Sequence, residues 1–191
     1  MLDFLVEIDK TLFIFLNSLH TPIMDKIMWA ISGKYTWIPL YAAVLYWFIR
    51  KYQWNALWIT LFAILVVVAN DQISVAIKFA VERPRPSHNE EFEGIIHLVN
   101  NYHGGAFGFV SSHAANTFGF AVFSLFLIRQ RWFTIAILAW AAIVSYSRVY
   151  LGVHYPADIT FGGLLGVLFG FLLYRSAIFS TQKWPIIVKQ K

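Results

Sequence analysis

The amino-acid sequence predicts an all-α integral membrane protein: a bundle of five to six transmembrane helices with an N-terminal amphipathic interfacial helix. Of the 191 residues, 59% are hydrophobic and 13% are charged, and the mean hydropathy is +0.61, far from the values of soluble domains. Tryptophans sit near the ends of apolar runs, where their amphipathic rings prefer the lipid headgroup layer; they are Trp37, Trp54, Trp132 and Trp184. A single domain, residues 1–191, is therefore predicted.

The first 33 residues are predicted to lie at the membrane surface. Apolar residues recur at helical spacing from Leu2 to Leu19 with charged residues between them, as in an interfacial helix. The apolar run 27–31 is too short to span a bilayer, and Ser32-Gly33-Lys34 interrupts it. Residues 1–33 are interpreted as an interfacial or re-entrant segment. A further crossing within residues 22–49 is the alternative.

Five apolar runs are predicted to cross the membrane: residues 37–49, 54–77, 113–128, 132–146 and roughly 157–178. The connection 79–112 is rich in Pro, Gly, Asn, His and Glu, and loops longer than about 12 to 15 residues are usually functional. If the crossings alternate, one side of the membrane carries basic residues and no acidic residue. The basic residues on that side are Arg50, Lys51, Arg129, Arg131, Arg175, Lys183, Lys189 and Lys191. The positive-inside rule then predicts a basic cytoplasmic tail, residues 180–191, and an extracytoplasmic loop, residues 79–112.

Charge and cysteine content narrow the partners and cofactors. The net charge of +5 arises from basic residues in short loops and in the tail, which favours an anionic membrane surface over nucleic acid. The sequence has no cysteine, so a thiolate nucleophile and a cysteine-ligated metal are excluded. We expect membrane lipids, no nucleic acid and no cofactor.

Three polar segments fall at one end of the predicted bundle: KFAVERPRP (78–86), FVSSH (109–113) and SRVYLGVHYPAD (147–158). Proline disfavours the α conformation in the preceding residue, so Arg83 and Arg85 are predicted to lie on extended chain. Arg83 is interpreted as a cation at the membrane interface. His154 and Asp158 are four residues apart at a helix start, where a carboxylate can fix the imidazole tautomer. The structural alternative is a helix-capping aspartate beside a satisfied histidine.

Together these segments supply cations, hydroxyls, imidazoles and one carboxylate: Lys78, Arg85, Arg148, Ser111, Ser112, His113, His154 and Asp158. Three cations would repel a divalent metal, so no metal site is expected. A phosphoryl group needs stabilised oxygens, a nucleophile and an acid for the leaving oxygen, and each role has a candidate.

The segments resemble the signature of the type 2 phosphatidic acid phosphatase (PAP2) superfamily, written KxxxxxxRP, PSGH and SRxxxxxHxxxD. Residues 78–86 and 147–158 match completely, whereas Val110-Ser111-Ser112-His113 keeps only the serine and histidine, with the Ser112 amide still able to donate. The resemblance implies a metal-independent lipid phosphatase in a bacterial inner membrane. It implies that His154 forms a phospho-histidine, Asp158 orients it, His113 protonates the leaving oxygen, and Lys78, Arg85, Ser111 and Arg148 hold phosphoryl oxygens.

The substrates that the resemblance suggests are undecaprenyl pyrophosphate, phosphatidylglycerol phosphate, phosphatidate and lipid A phosphates. Two rival hypotheses stay open: a vanadate-dependent haloperoxidase-like enzyme, and a non-catalytic lipid-phosphate binder or transporter. The binder would leave His113 and the His154–Asp158 pair without a role. The geometric expectation is that His113 and His154 face each other across a space the size of one phosphate, at the non-cytoplasmic end.

Overall fold

The computed structural model describes residues 2–183, and the regular elements in that range are helical. The seven α-helices of this range are α1 (Leu2–Ser18), α2 (Pro22–Ser32), α3 (Ile38–Tyr52), α4 (Ala56–Val81), α5 (Ser112–Ile128), α6 (Arg131–Tyr150) and α7 (Pro156–Lys183). Short 3-10 turns punctuate the connections. Residues 184–191, which include Trp184 and most of the predicted basic tail, lie outside the described range.

Three helical segments within residues 2–183 are long and apolar enough to cross a membrane: Tyr35–Val81, Arg131–Tyr150 and Pro156–Thr181. The first has 47 residues, or roughly 70 Å of helix at about 1.5 Å per residue, more than twice the thickness of the hydrocarbon core. It divides at Gln53, whose φ of 48° breaks the helix between α3 and α4. The two predicted runs 37–49 and 54–77 are therefore separate helices.

The outer surface of these helices suits a lipid environment. Large apolar side chains point away from the protein on each of them, for example Leu57, Ile64, Ile135 and Leu164. Their backbone polar groups are satisfied within the helices, as the hydrocarbon core requires. The protein is an integral membrane protein.

Helices α5 and α7 pack at very close range because α7 presents glycines to α5. A Cβ atom on Gly162 would lie 2.5 Å from the carbonyl oxygen of Ser111, and one on Gly170 would lie 2.5 Å from that of Gly119. Gly166, between them, lies against the carbonyl of Ala115. Small residues four apart let two membrane helices approach closely. This contact holds the start of α5 beside the start of α7.

The N-terminal helix exposes mainly apolar side chains and buries two polar ones together with Phe13. Leu5, Ile8 and Phe15 are exposed, whereas Asp9 and Asn17 are buried, and the amide of Asn17 donates to the carbonyl oxygens of His97 and Tyr150 at 3.0 Å. The helix is therefore attached to the protein along the side that carries Asp9, Phe13 and Asn17. The next helix, α2, is longer than the predicted run 27–31.

The end of α6 corrects the sequence interpretation of the third polar segment, whereas the start of α7 agrees with it. Helix α6 continues to Tyr150, beyond the predicted end at residue 146, so Ser147 and Arg148 lie in its last turn. Gly152, with φ of 79°, follows in the connection 151–155. Pro156 begins α7, as predicted, because proline at the first helical position loses no hydrogen bond.

Candidate active site

The three polar segments meet at one end of the bundle, where α4 and α6 end and α5 and α7 begin. A cavity of about 710 Å³ opens there, and its walls include five of the predicted residues: Arg85, Ser112, His113, Arg148 and His154. Cavities of about 300–1,000 Å³ hold small-molecule ligands. His113 and His154 thus share one cavity, but it is larger than the predicted space for one phosphate.

A buried carboxylate holds His154. Nδ1 of His154 lies 3.2 Å from Oδ2 of Asp158, which also accepts a hydrogen bond from the Tyr155 amide at 3.0 Å. The exposed fractions of His154 and Asp158 are 1% and 0%. With Nδ1 engaged, Nε2 is the nitrogen left for a ligand. Burial, reinforced by the positive charges of Arg85, Arg148 and Lys78, holds the pKa of His154 well below its usual value, so the ring is neutral and nucleophilic at pH 7.

Arg83 and Asp9 extend this pair into a chain of four charged or polar groups that the sequence did not reveal. Nη1 of Arg83 donates to Oδ1 of Asp158 at 3.0 Å, and Nη2 donates to Oδ2 of Asp9 at 2.7 Å. The other oxygen of Asp9 accepts from the amide of Ala157 at 2.8 Å, in the first turn of α7. The interpretation of Arg83 as an interfacial cation is therefore wrong. Asp9 is far from Arg83 in the sequence, and no motif or spacing in the sequence indicates their contact.

The loop that carries Arg85 is extended, as predicted from its prolines. Pro84 pairs with Phe107 in an isolated antiparallel bridge, and the Arg85 amide donates to the carbonyl oxygen of Ala106 at 3.0 Å. Nε of Arg85 donates to the carbonyl oxygen of Phe107 at 3.0 Å. Gly108 passes so near that a Cβ atom would lie 2.8 Å from Oδ2 of Asp158. The fold-back thus brings Arg85 to the cavity wall.

Arg148 is held by two side chains that sequence reasoning missed. Its Nη1 donates to the hydroxyl of Ser32 at the end of α2, and its Nη2 lies 3.5 Å from the hydroxyl of Tyr102. Its Nε is buried and has no hydrogen-bond partner within residues 2–183. Ser32 and Tyr102 thus orient the guanidinium, and its Nε–H is left without a protein acceptor in the described residues.

Lys78 reaches the cavity through Ser112. Nζ of Lys78 donates to the hydroxyl of Ser112 at 2.6 Å, and that hydroxyl lies 2.7 Å from the hydroxyl of Ser74. Helix α5 begins at Ser112, so the positive end of its dipole faces this region. Ser111 lies behind the wall: its amide donates to the carbonyl oxygen of Asp158 at 2.9 Å, and its buried hydroxyl has no partner in the described part of the chain.

The arrangement suits a polyanion beside an imidazole. Two guanidiniums, a serine hydroxyl that is bonded to an ammonium group, and a helix N-terminus line the same cavity as His154. Over residues 2–183, no group of three or more His, Asp or Glu side chains is placed to hold a metal ion. Independence from metals and cofactors stays a prediction.

Comparison with known proteins gives the family. The PAP2 superfamily model matches residues 55–181. The chain is 39% identical to the lipid A 4'-phosphatase of Bacteroides thetaiotaomicron over 177 residues, 91% of this chain and 79% of that protein. It is 33% identical to the lipid A 4'-phosphatase of Porphyromonas gingivalis over 185 residues, 96% of this chain and 78% of that protein. The fold resembles the crystal structure of Aquifex aeolicus LpxE, with a TM-score of 0.70 at 21% identity over 86% of this chain and 93% of that one. The chain belongs to the PAP2 superfamily and is a membrane lipid phosphatase.

Proposed function

We propose that this phosphatase removes a phosphate from the sugar headgroup of lipid A, at the 4' position, through a phospho-histidine at His154. One observation carries the reaction type: the Asp158 carboxylate holds Nδ1 of His154, and the ring lines a cavity that Arg85 and Arg148 also line. The similarity to two lipid A 4'-phosphatases supports the substrate. Undecaprenyl pyrophosphate, phosphatidylglycerol phosphate and phosphatidate are the substrates to compare.

In the first step Nε2 of His154 attacks phosphorus, the N–P bond forms, and the bond from phosphorus to the sugar oxygen breaks. His113, on the opposing helix α5, gives its proton to that leaving oxygen. Asp158 accepts the hydrogen bond from Nδ1 and stabilises the positive charge that develops on the ring. The substrate dianion beside His113 favours the protonated form that this step requires.

The cations hold the phosphoryl oxygens. Arg85 and Arg148 supply paired N–H donors, which match phosphate geometry, and the unpartnered Nε of Arg148 is one of them. Lys78 acts through the Ser112 hydroxyl. Ser111 was expected to hold a phosphoryl oxygen, but it lies behind the cavity wall, so we assign its hydroxyl no contact with the substrate. Fixed charges of this kind stabilise the charge that builds up on the transferring group.

In the second step a water molecule attacks the phosphorus of the phospho-histidine. His113, now neutral, takes a proton from that water, the N–P bond breaks, and the pair returns to its starting protonation state. Inorganic phosphate leaves. The steps consume one water and require no metal.

The proposed topology has five crossings, α3 to α7, with α1 and α2 at the membrane surface and residues 1–191 as one domain. The exposed apolar face of α1 supports an interfacial position. The end of the bundle opposite the cavity carries Arg50, Lys51, Arg129, Arg131 and Arg175. The positive-inside rule puts that end in the cytoplasm and the active site on the periplasmic side of the inner membrane.

Phosphate release in detergent tests the proposal. Lipid A dephosphorylated beforehand at position 1, lipid A dephosphorylated at position 4', undecaprenyl pyrophosphate and phosphatidate are assayed in parallel with the purified protein. We expect phosphate release from lipid A that lacks the 1-phosphate and no release from lipid A that lacks the 4'-phosphate. His154→Ala should lose activity, and a chelator should leave the activity of the parent protein unchanged. Full activity in His154→Ala, or inactivation by the chelator, would overturn the mechanism. Equal turnover of all four lipids would overturn the substrate assignment.

A further inference from the structure

The cavity has a polar zone beneath its cationic one, and the mechanism does not use it. Asp71 and Gln72 of α4 and Asn116 of α5 line the cavity together with the phosphate-binding candidates. Successive turns of α4 define the depth. Ser74 touches Ser112 at the cationic level, Asp71 and Gln72 lie about one turn deeper, and Val67 and Val68 another turn beyond them.

The deepest zone is apolar and continues sideways. Val67, Val68 and Tyr41 line the cationic cavity and also a second cavity of about 310 Å³ between α3 and α4. The other walls of this second cavity are almost entirely aliphatic or aromatic, such as Val44, Phe48 and Ile64. Along one path the surroundings therefore change from cationic to polar to apolar, with the polar zone about as deep as one helical turn, roughly 5 Å.

The oxygens of the polar zone require hydrogen-bond donors. A carboxylate such as Asp71 only accepts hydrogen bonds when ionised. The Oδ1 atom of Asn116 is buried and has no partner in residues 2–183, which is unfavourable for an amide oxygen. A phosphoryl group offers only acceptors when ionised, so it cannot satisfy either oxygen. A hydroxyl or an amide N–H can.

We propose that Asp71, Gln72 and Asn116 form a subsite for the hydroxyl and amide groups of the sugar ring that carries the phosphate. This inference rests on the proposed function and adds the residues that select the headgroup. A polyprenyl diphosphate and phosphatidate carry no donor between phosphate and chain, so either would place apolar or ester groups against Asp71 and leave Asn116 unsatisfied. An acylated amino sugar fills all three zones in order.

A second explanation for Asp71 is that it serves as the counter-ion of Lys78, seven residues along the same face of α4. The two explanations differ in what a variant loses, because a counter-ion of Lys78 would affect binding of any phosphate, whereas a sugar subsite would affect only ligands that carry the sugar.

The test compares two ligands on the same variants: lipid A as substrate, and inorganic phosphate as a competitive inhibitor that lacks the sugar. For Asp71→Leu and Asn116→Leu we expect a rise of roughly tenfold in KM for lipid A, the effect of about one hydrogen bond. The inhibition constant of inorganic phosphate should stay within about twofold of the parent value. Asp3→Asn, on the exposed face of α1, is the control and should change neither value.

Two outcomes for these variants would overturn the subsite. Equal changes in the KM for lipid A and the inhibition constant of phosphate would show that Asp71 acts as the counter-ion of Lys78. No change in either constant would show that these residues do not contact the substrate. Gln72→Leu is a further variant should Asn116→Leu fail to fold, and its KM for lipid A must also rise. A parent enzyme with no activity on lipid A would instead refute the proposed function itself.

Discussion

Replacement of Arg83 by methionine is expected to slow catalysis without weakening substrate binding. Arg83 lies outside the cavity wall but donates to Oδ1 of Asp158 at 3.0 Å, and this carboxylate is fully buried. In Arg83→Met the carboxylate keeps the Tyr155 amide and His154 but loses its charged partner. Hydrogen bonds between charged groups contribute about 1.5–3 kcal/mol, so a loss of that size in the transition state lowers kcat by roughly 10- to 150-fold.

The assay is steady-state phosphate release from lipid A in detergent, with kcat and KM fitted separately and the melting temperature measured alongside. We expect KM to stay within about twofold, because Arg83 acts through Asp158 rather than on the substrate. Asp9→Asn keeps the oxygen that accepts from the Ala157 amide but removes the negative charge that pairs with Arg83. We expect a smaller decrease of kcat than in Arg83→Met. Glu7→Gln, an exposed charge on the same helix, is the control.

A wild-type kcat in Arg83→Met, with the protein folded, would refute this reasoning. So would a large rise of KM with kcat unchanged, because that pattern belongs to a residue that contacts the substrate in its ground state.

Three further results are expected. In a pH profile of kcat/KM, the loss of activity on the acidic side should occur below pH 6.5, because burial lowers the pKa of His154 and activity is lost only as the pH falls through that pKa. A loss of activity centred at or above pH 6.5 would contradict the burial argument. Ser112→Ala should reduce kcat/KM by roughly tenfold or more, because the buried Lys78 loses its 2.6 Å partner, whereas Ser180→Ala, remote from the cavity, should not. Gly166→Val should lower the melting temperature and the activity together, because α7 cannot then approach Ala115; the exposed Leu168→Val is its control, and unchanged stability in Gly166→Val would contradict the packing.

Local chemistry in the sequence was sufficient for much of the site. Proline spacing predicted the extended chain at Arg83 and Arg85, and a four-residue spacing predicted the His154–Asp158 contact. The shared end of the bundle followed from the alternation of apolar runs. Each of these inferences depends on residues close in sequence or on the direction of a helix.

The contacts that were missed join residues far apart in the chain. Asp9 meets Arg83 across 74 positions, and Ser32 meets Arg148 across 116. Neither pair has a periodicity or a spacing that marks it. The predicted end of α6 was also too early, because it followed polarity: Ser147 and Arg148 are polar yet helical, and the glycine at position 152 lies beyond the end of the helix.

The central claim is that His154 carries the phosphoryl group, and a trapping measurement tests it most directly. Purified enzyme is mixed with lipid A labelled at its phosphates, quenched in base within one turnover, and digested for mass spectrometry. We expect an acid-labile phosphoryl group on His154, accumulating before phosphate release and missing in His154→Ala. A label on another residue, or full turnover in His154→Ala, would contradict the account.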